Sequence, residues 1–402
     1  MGSLIDADLL RRDLAQLVSY ASVGGSEAES AVQRWSAATM QGLGLDVDLW
    51  PFELEALRLD SEYPGEEVER EEAWGCVGTS GPGTPALILN GHVDVVPPGD
   101  PEWWTGHDPW FLHENDGRWY GRGVCDMKGG VAAILAAVRA VGDRLSKPFA
   151  VHTVIGEEDG GLGTFGTLRR GHVGEACLIA EPTAGDIVSA NAGALTFRLE
   201  LRGQAIHGSL AGLGVSTVDL LESVTAALRR VDAERNANPP APFHERPWPI
   251  SIGIVNAGEW ASTVPDHLVA EGRFGTMPGE TFEEAIAAFE AAVRSAGHPW
   301  LDEHPVEITW PGGRFAAGAL PAGHPFGDEV TDAVVSTGAT RPELIGAPYG
   351  SDLRQYAAAG IPTVQLGPGT IRHAHAVDEH VEIAEVVGAA EAYAALLLSR
   401  CG

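Results

Sequence analysis

The chain has 402 residues, 44% of them hydrophobic, and carries 56 acidic against 26 basic side chains, a formal charge of -30. That length favours two domains over one core, and a negative surplus of that size repels nucleic acid and anionic membrane surfaces, so neither is expected as a partner. No apolar run approaches the roughly 20 residues needed to span a bilayer. The opening "MGSLIDADLLRRDL" lacks both the apolar core of an export leader and the Ser or Thr of a myristoylation signal. Cys76, Cys125, Cys177 and Cys401 show no paired spacing, which argues against a disulfide framework or a thiolate metal cage and fits a cytoplasmic protein.

Up to about residue 190, short apolar runs alternate with helical patterns. The acidic run "LDSEYPGEEVEREEAW" is expected to form an exposed loop or edge hairpin. "ALILN" predicts a buried strand and "GGVAAILAAVRAVGDRL" a helix with Val131, Ile134, Leu135, Val138 and Val141 on one face; "FAVHTVIG" and "ACLIA" predict two further strands. This is the pattern of an α/β fold, a mostly parallel sheet with helices on both faces.

From Asn191 the strands change character. "LTFRLELR" sets Phe197, Leu199 and Leu201 against Thr196, Arg198, Glu200 and Arg202, as a sheet with one wet face requires. A helix ("TVDLLESVTAALRRV"), two strands ("ISIGIVNAG", "HLVAEGRF"), a helix ("FEEAIAAFEAAVRSA") and a strand ("VEITW") follow, the βαββαβ order of an α+β ferredoxin-like domain. The Pro-rich "NANPPAPFHERPWP" is expected to be a loop inside it. After about Ala317 the buried type returns, with "GIPTVQLGPG" as strand and loop and "EIAEVVGAAEAYAALLLSR" as a closing helix. The expected organisation is a catalytic domain in two parts, residues 1–190 and 318–402, interrupted by an inserted lid domain, residues 191–317.

Titratable groups gather at the predicted strand ends. His92 and Asp94 follow the first strand in "LILNGHVDVVPPGD", where residues two apart share a face, so that Asp94 is expected to bond one ring nitrogen of His92 and leave the other free. Asp126 lies in "GRGVCDMKGG", Glu157 and Glu158 in "VIGEEDGG", Glu181 in "LIAEPT" and His375 in "RHAHAVDEH". The carboxyl ends of parallel strands are where such sheets bind ligands. Carboxylates with two imidazoles and no thiolate suit zinc, manganese or cobalt in a pair of sites.

These motifs, with "GQAIHGS", "STVPD", "PGE", "YGSDLR" and "HAHAVDEHV", resemble in order and along nearly the whole chain the co-catalytic zinc hydrolases. That family includes acetylornithine deacetylase, succinyl-diaminopimelate desuccinylase, aminoacylase and glutamate carboxypeptidase. The resemblance implies two divalent metal ions per subunit, zinc foremost with cobalt or manganese as alternatives. His92, Asp126 and Glu181 would hold one, and Asp126, Glu158 and His375 the other, His375 rather than His373 having the family's spacing to "DE". It further implies Glu157 as general base, Asp94 as the partner of His92, and a cis peptide between Asp126 and Met127. Because Glu157 and Glu158 are adjacent, Gly156 and Gly160 are expected to permit a turn that brings both inward. His207 would hydrogen-bond the developing oxyanion from the partner chain of a homodimer formed through the lid domain.

Substrate contacts are expected from Ser262, Arg273, Ser351, Arg354 and the turn Gly367 to Gly369. Here the chain departs from the family: many members have Asn where Ser262 stands and an Arg thirteen residues on, where this chain has Gly275, with Arg273 two residues earlier. The segment "GEWASTVPDHLVAEGRFG" looks most like the branch that includes formylaminopyrimidine deformylase. The expected activity is hydrolysis of a small-molecule amide, releasing a small acyl or formyl group. The competing readings are an exopeptidase, dipeptidase or N-acyl amino acid deacetylase of the same family, and a binding protein that has lost catalysis.

Overall fold

The computed structural model describes residues 4–244, 246–312 and 314–402. The chain divides into two compact units, the first comprising Met1–Ala190, Ala319–Ile345 and Ser351–Gly402, the second Asn191–Gly318 with Gly346–Gly350. Each has its own apolar core.

In the first unit the strands Phe149–Val154, Leu87–His92, Cys177–Ile179 and Thr363–Gln365 lie side by side and parallel, with Asp46–Pro51 and Trp74–Thr79 added antiparallel at one edge. All six residues of Leu87–His92 are buried, as a central strand covered on both faces requires. Neighbouring residues show that cover. A β-carbon on Gly91 would meet Val131 of helix Lys128–Val141, whereas Asn90, pointing the other way, donates to the hydroxyl of Tyr356 on helix Leu353–Ala358 at 2.9 Å. His152, the register partner of Asn90, meets the same hydroxyl at 2.9 Å; burial drives its pKa down to about 3, so it is neutral. Helix Lys128–Val141 is apolar nearly all round, because helices Ala7–Ser19 and Ile383–Cys401 pack against the sides the sheet leaves open.

The second unit carries a five-stranded antiparallel sheet, with Ile250–Ala257, His267–Thr276, Gly193–Arg202 and Glu307–Thr309 in that order and Arg314–Phe315 also on Gly193–Arg202. Leu195, Phe197, Leu199 and Leu201 turn to one face, against Leu220, Val224 and Leu228 of helix Thr217–Arg235 and Phe289 of helix Phe282–Arg294. The latter helix starts at a capping box, the Thr281 hydroxyl accepting from Glu284 N while the Glu284 carboxylate accepts from Thr281 N. The Pro-rich loop of this unit, whose Glu245 lies outside the described residues, buries Phe243 and Trp248. The myristoylation test falls partly on Met1–Ser3, also outside them.

The acidic run at residues 59–74 departs from expectation. Leu59 is 87% exposed, yet Arg70 is only 4% exposed. Its guanidinium forms paired hydrogen bonds to Glu29 (2.8 and 2.9 Å) and to Asp159 (2.7 and 2.8 Å). One cation between two carboxylates lets three charged groups be buried together, and ties this loop beneath the Glu157–Asp159 turn.

Candidate metal centre

Four adjacent parallel strands deliver the site residues at their carboxyl ends. His92 closes Leu87–His92, Glu157 and Glu158 follow Phe149–Val154, Glu181 follows Cys177–Ile179, and the loop after Thr363–Gln365 leads to His375. Asp126 sits in the turn before helix Lys128–Val141, and its peptide bond to Met127 is cis.

Their ligand atoms form two groups, His92 with Asp126 and Glu181, and Asp126 with Glu158 and His375. The two oxygens of Asp126 face different groups: Oδ1 is 3.1 Å from His92 Nε2 and Oδ2 is 3.5 Å from His375 Nε2. Glu181 Oε1 lies 3.7 Å from His92 Nε2, and Glu158 Oε2 3.0 Å from His375 Nε2. His373 is not part of this arrangement; its ring stacks on His380 with centroids 4.1 Å apart.

The orientation of His92 suits a ligand, though not through the expected bond. Its Nδ1 lies 3.0 Å from the backbone oxygen of Asp94, which can only accept, so Nδ1 carries a proton and Nε2 is the nitrogen turned toward Asp126 and Glu181. The strand ends at His92, the alternation of faces ends with it, and the Asp94 carboxylate stays 3.6 Å from Nδ1. That carboxylate instead accepts from the backbone N–H of Glu158 at 3.2 Å, steadying the turn.

The charge balance bears on what this pocket can hold. Burial, followed by the charge of Asp352, pushes Glu157 well above the usual carboxylate range; burial and Asp126 do the same to Glu181 and raise Glu158. Burial would raise Asp126 too, but hydrogen bonds from His375 and His92 overcome it and hold this carboxyl low. Hydrogen bonds to Asp126 and Glu158 lift His375 to about 10. Acids gathered in low dielectric and short of countercharge take up protons unless cations arrive. Three carboxylates and two imidazoles, grouped around a shared Asp126 and without a thiolate, fit divalent metal ions.

Glu157 and Glu158 occupy a tight turn rather than a strand. Gly156 has φ 63°, and Gly161 N closes on Gly156 O at 2.6 Å. At Gly160 a β-carbon would lie 2.2 Å from Gly65 O, so only glycine fits. Behind this turn are Ser351 and Arg354, two of the expected substrate contacts. Ser351 is 1% and Arg354 5% exposed; Arg354 donates to Gly160 O at 2.6 Å and Ser351 O at 3.0 Å, and Ser351 Oγ meets Gln365 Nε2. They brace the turn. At Gly367 a β-carbon would lie 2.2 Å from Ala180 O, so this turn runs close against the strand end that leads to Glu181.

The second unit holds the other expected residues. His207 is exposed, and Ser209 N donates to its Nδ1 at 3.2 Å, which leaves Nε2 as the ring nitrogen able to donate. Ser262 is its neighbour, with Gly208 N donating to Ser262 O at 2.6 Å. Arg273 lies between Thr196 and Ser251 in the sheet and donates to Pro348 O at 2.9 Å. A β-carbon at Gly275 would lie 2.6 Å from Trp248 Cα, so that position admits no side chain.

Sequence reasoning gave no role to Arg70, and Arg122, Asp159, Asp352 and Glu379 figured only as parts of motifs. Their partners are remote in sequence, 257 residues apart for Arg122 and Glu379, so no local spacing could single them out.

Fold and site together define a hydrolase built on an α/β unit with its ligand groups at the ends of parallel strands. The chain belongs to Peptidase family M20/M25/M40, whose model matches residues 88–399, and membership implies divalent metal binding. The N-formyl-4-amino-5-aminomethyl-2-methylpyrimidine deformylase of Bacillus subtilis is 27% identical over 394 residues, 92% of this chain and 89% of its own. An acetylornithine deacetylase of Pectobacterium atrosepticum is 29% identical over 318 residues, 76% of this chain and 77% of its own. Among solved structures, the dipeptidase Dug1p of Saccharomyces cerevisiae superposes with a TM-score of 0.74 at 14% identity, over 96% of this chain and 95% of that one. Human carnosine dipeptidase 1 gives 0.73 at 16%, over 98% and 96%. Among the described residues no helix is long and apolar enough to cross a membrane.

Proposed function

We propose that the protein is a two-metal amide hydrolase that removes a small acyl or formyl group from a nitrogen of a small molecule. The observation that carries this reading is the pair of ligand groups sharing Asp126, with the buried carboxyl of Glu157 on the same turn as Glu158. His92, Asp126 and Glu181 hold one ion and Asp126, Glu158 and His375 the other, with zinc first and cobalt or manganese as alternatives. Bound there, divalent ions supply Lewis acidity, which polarises an amide carbonyl and makes water acidic enough to deprotonate near neutral pH.

The residues do the rest. Glu157, buried on the same turn as Glu158, takes the proton of the attacking water and returns it to the leaving nitrogen. An amine cannot depart as an anion, so that second transfer is needed. Asp94 holds the turn through Glu158 N and the ring of His92 through its backbone oxygen. His207 donates through Nε2 to the oxyanion. It does so from a second copy, in a homodimer formed through the second unit. Edge strand Ile250–Ala257 leaves Ile254 50% and Val255 49% exposed, and Trp260 is 72% exposed, an apolar edge that a dimer would cover.

Substrate is read by Arg273, Ser262 and the turn Gly367 to Gly369. The closed position at Gly275 favours a substrate without the α-carboxylate that an arginine there would bind, in keeping with the deformylase relative. The reaction takes place in the cytoplasm. A panel of N-formyl and N-acetyl amines set against dipeptides, on protein of measured metal content, tests the proposal. Turnover confined to dipeptides would make the protein an exopeptidase, and no metal-dependent turnover of any amide would leave only a binding role.

A further inference from the structure

We infer that the buried Arg122–Glu379 pair is a positioning device, which fixes the shared Asp126 and the loop of His375 in the arrangement that two cations require. The inference rests on the two-metal reading above. Glu379 is 1% exposed and belongs to neither ligand group. Its Oε1 accepts from the backbone N–H groups of Cys125 (2.9 Å) and Asp126 (3.0 Å), and its Oε2 from Gly123 N (3.0 Å) and Arg122 Nη1 (2.6 Å). A carboxylate has about four acceptor positions, and all are used on one turn. That turn carries the only residue common to both ligand groups, so a shift in it moves a ligand of each.

Arg122 extends the brace. It is 2% exposed, and its Nη2 donates to Pro97 O at 3.3 Å and makes a longer contact of 3.5 Å with His375 O. The pair thus ties together the segment after His92, the turn of Asp126 and the loop of His375. That loop needs holding: His375 and Asp378 have φ of 61° and 58°, left-handed values that non-glycine residues keep only where their surroundings over-determine them. Asp378 is anchored separately, accepting from Thr105 N at 2.8 Å and Thr105 Oγ1 at 2.6 Å. Two consecutive residues therefore clamp the loop to two different segments. A pair serving stability alone has no need to aim its acceptors at the ligand-bearing backbone.

The experiment compares wild type with Glu379→Gln and Arg122→Lys. Each is stripped with chelator, checked for folding by circular dichroism and titrated with Zn2+ in a calorimeter; each is then assayed, metal-loaded, on an amide that wild type hydrolyses. In Glu379→Gln the amide N–H2 meets donors where a carboxylate oxygen had accepted from them. Arg122→Lys keeps the buried charge paired, and so the fold, but loses the fork that reaches Pro97 and His375. Expected are a ten- to hundredfold loss of zinc affinity in Glu379→Gln and a smaller loss in Arg122→Lys. In both kcat should fall and KM stay within about threefold. Folded variants with wild-type zinc affinity and kcat, even with lowered melting temperatures, would reduce the pair to fold stabilisation and overturn the inference. If Glu379→Gln does not fold, Arg122→Lys alone decides by the same criterion. Wild type that takes up fewer than two ions would instead refute the two-metal reading, so the two failures are distinguishable.

Discussion

Removing the metal ions should lower the melting midpoint of the first unit by an amount that its size sets. At a free metal concentration a hundred times the dissociation constant, each ion bound only by the folded state contributes about 2.7 kcal/mol, so two contribute about 5 kcal/mol. The first unit has about 270 residues; at ~2.1 cal/mol/K per residue its unfolding entropy is ~0.57 kcal/mol/K, and the midpoint should fall by roughly 10 °C on chelation. The effect should depend on pH. In the metal-free protein Glu157, Glu158 and Glu181 bind protons more tightly than in the unfolded chain, as do His92, through Glu181 and Asp126 and against the pull of burial, and His375. Groups with raised folded-state pKa values stabilise below their unfolded values and lose that contribution as pH rises through the folded ones, here from about 4.5 for the carboxyls and from about 6.5 up to about 10 for His375. Asp126 has the opposite sign, but its contribution is lost only as pH falls below 3.8. Metal-free protein should therefore weaken from pH 5 to 8 while metal-loaded protein, in which cations replace the protons, should not, and the gap should widen. Scanning calorimetry on samples of known metal content reads both. Equal midpoints with and without metal, or a full shift retained in Asp126→Asn, which takes a ligand from both groups at once, would refute the reasoning.

Glu157→Gln should bind both ions and lose about a hundred- to ten-thousandfold in kcat, because an amide cannot accept the proton; turnover within tenfold of wild type would remove Glu157 from this role. Arg273→Ala should raise KM for an anionic substrate and leave a neutral one nearly unchanged, and equal effects on both would make Arg273 structural through its bond to Pro348. His207→Ala should fold, bind metal and be nearly inactive, yet recover part of its activity when mixed with Glu157→Gln, since one site of each heterodimer would then have both groups intact. A monomer by light scattering, or no recovery in mixtures shown to exchange subunits, would reject delivery from the second copy.

What was legible in the sequence follows from how each feature is encoded. Strands buried on both faces read as apolar runs, so "ALILN" and "FAVHTVIG" gave away the parallel sheet, and strict alternation in "LTFRLELR" marked the second unit. Four of the candidate site residues, His92, Glu157, Glu158 and Glu181, were legible because each closes or follows a strand of this sheet, whereas Asp126 and His375 stand on a turn and a loop. The first helices, Ala7–Ser19 and Glu27–Gly42, were not assigned, and the acidic character of residues 59–74 concealed that Arg70 turns inward. Charge patterning describes a segment by its average, whereas burial of one cation depends on two carboxylates elsewhere in the chain, Glu29 and Asp159.

The residues that hold the ligands in place lie beyond such reading for the same reason. Asp94 looked like a side-chain partner of His92 because strand alternation was extended two residues past the point where the strand ends. Ser351 and Arg354 were singled out because they stand in a motif, which did not reveal that they bond to Gln365, Gly160 and their own turn. A ligand is specified by chemistry that its residue type announces. A brace is specified by what happens to lie opposite once the chain has folded, and Glu379 accepts from four donors of which only the Arg122 guanidinium has a side chain to reveal it; the other three are backbone N–H groups that any residue would have supplied.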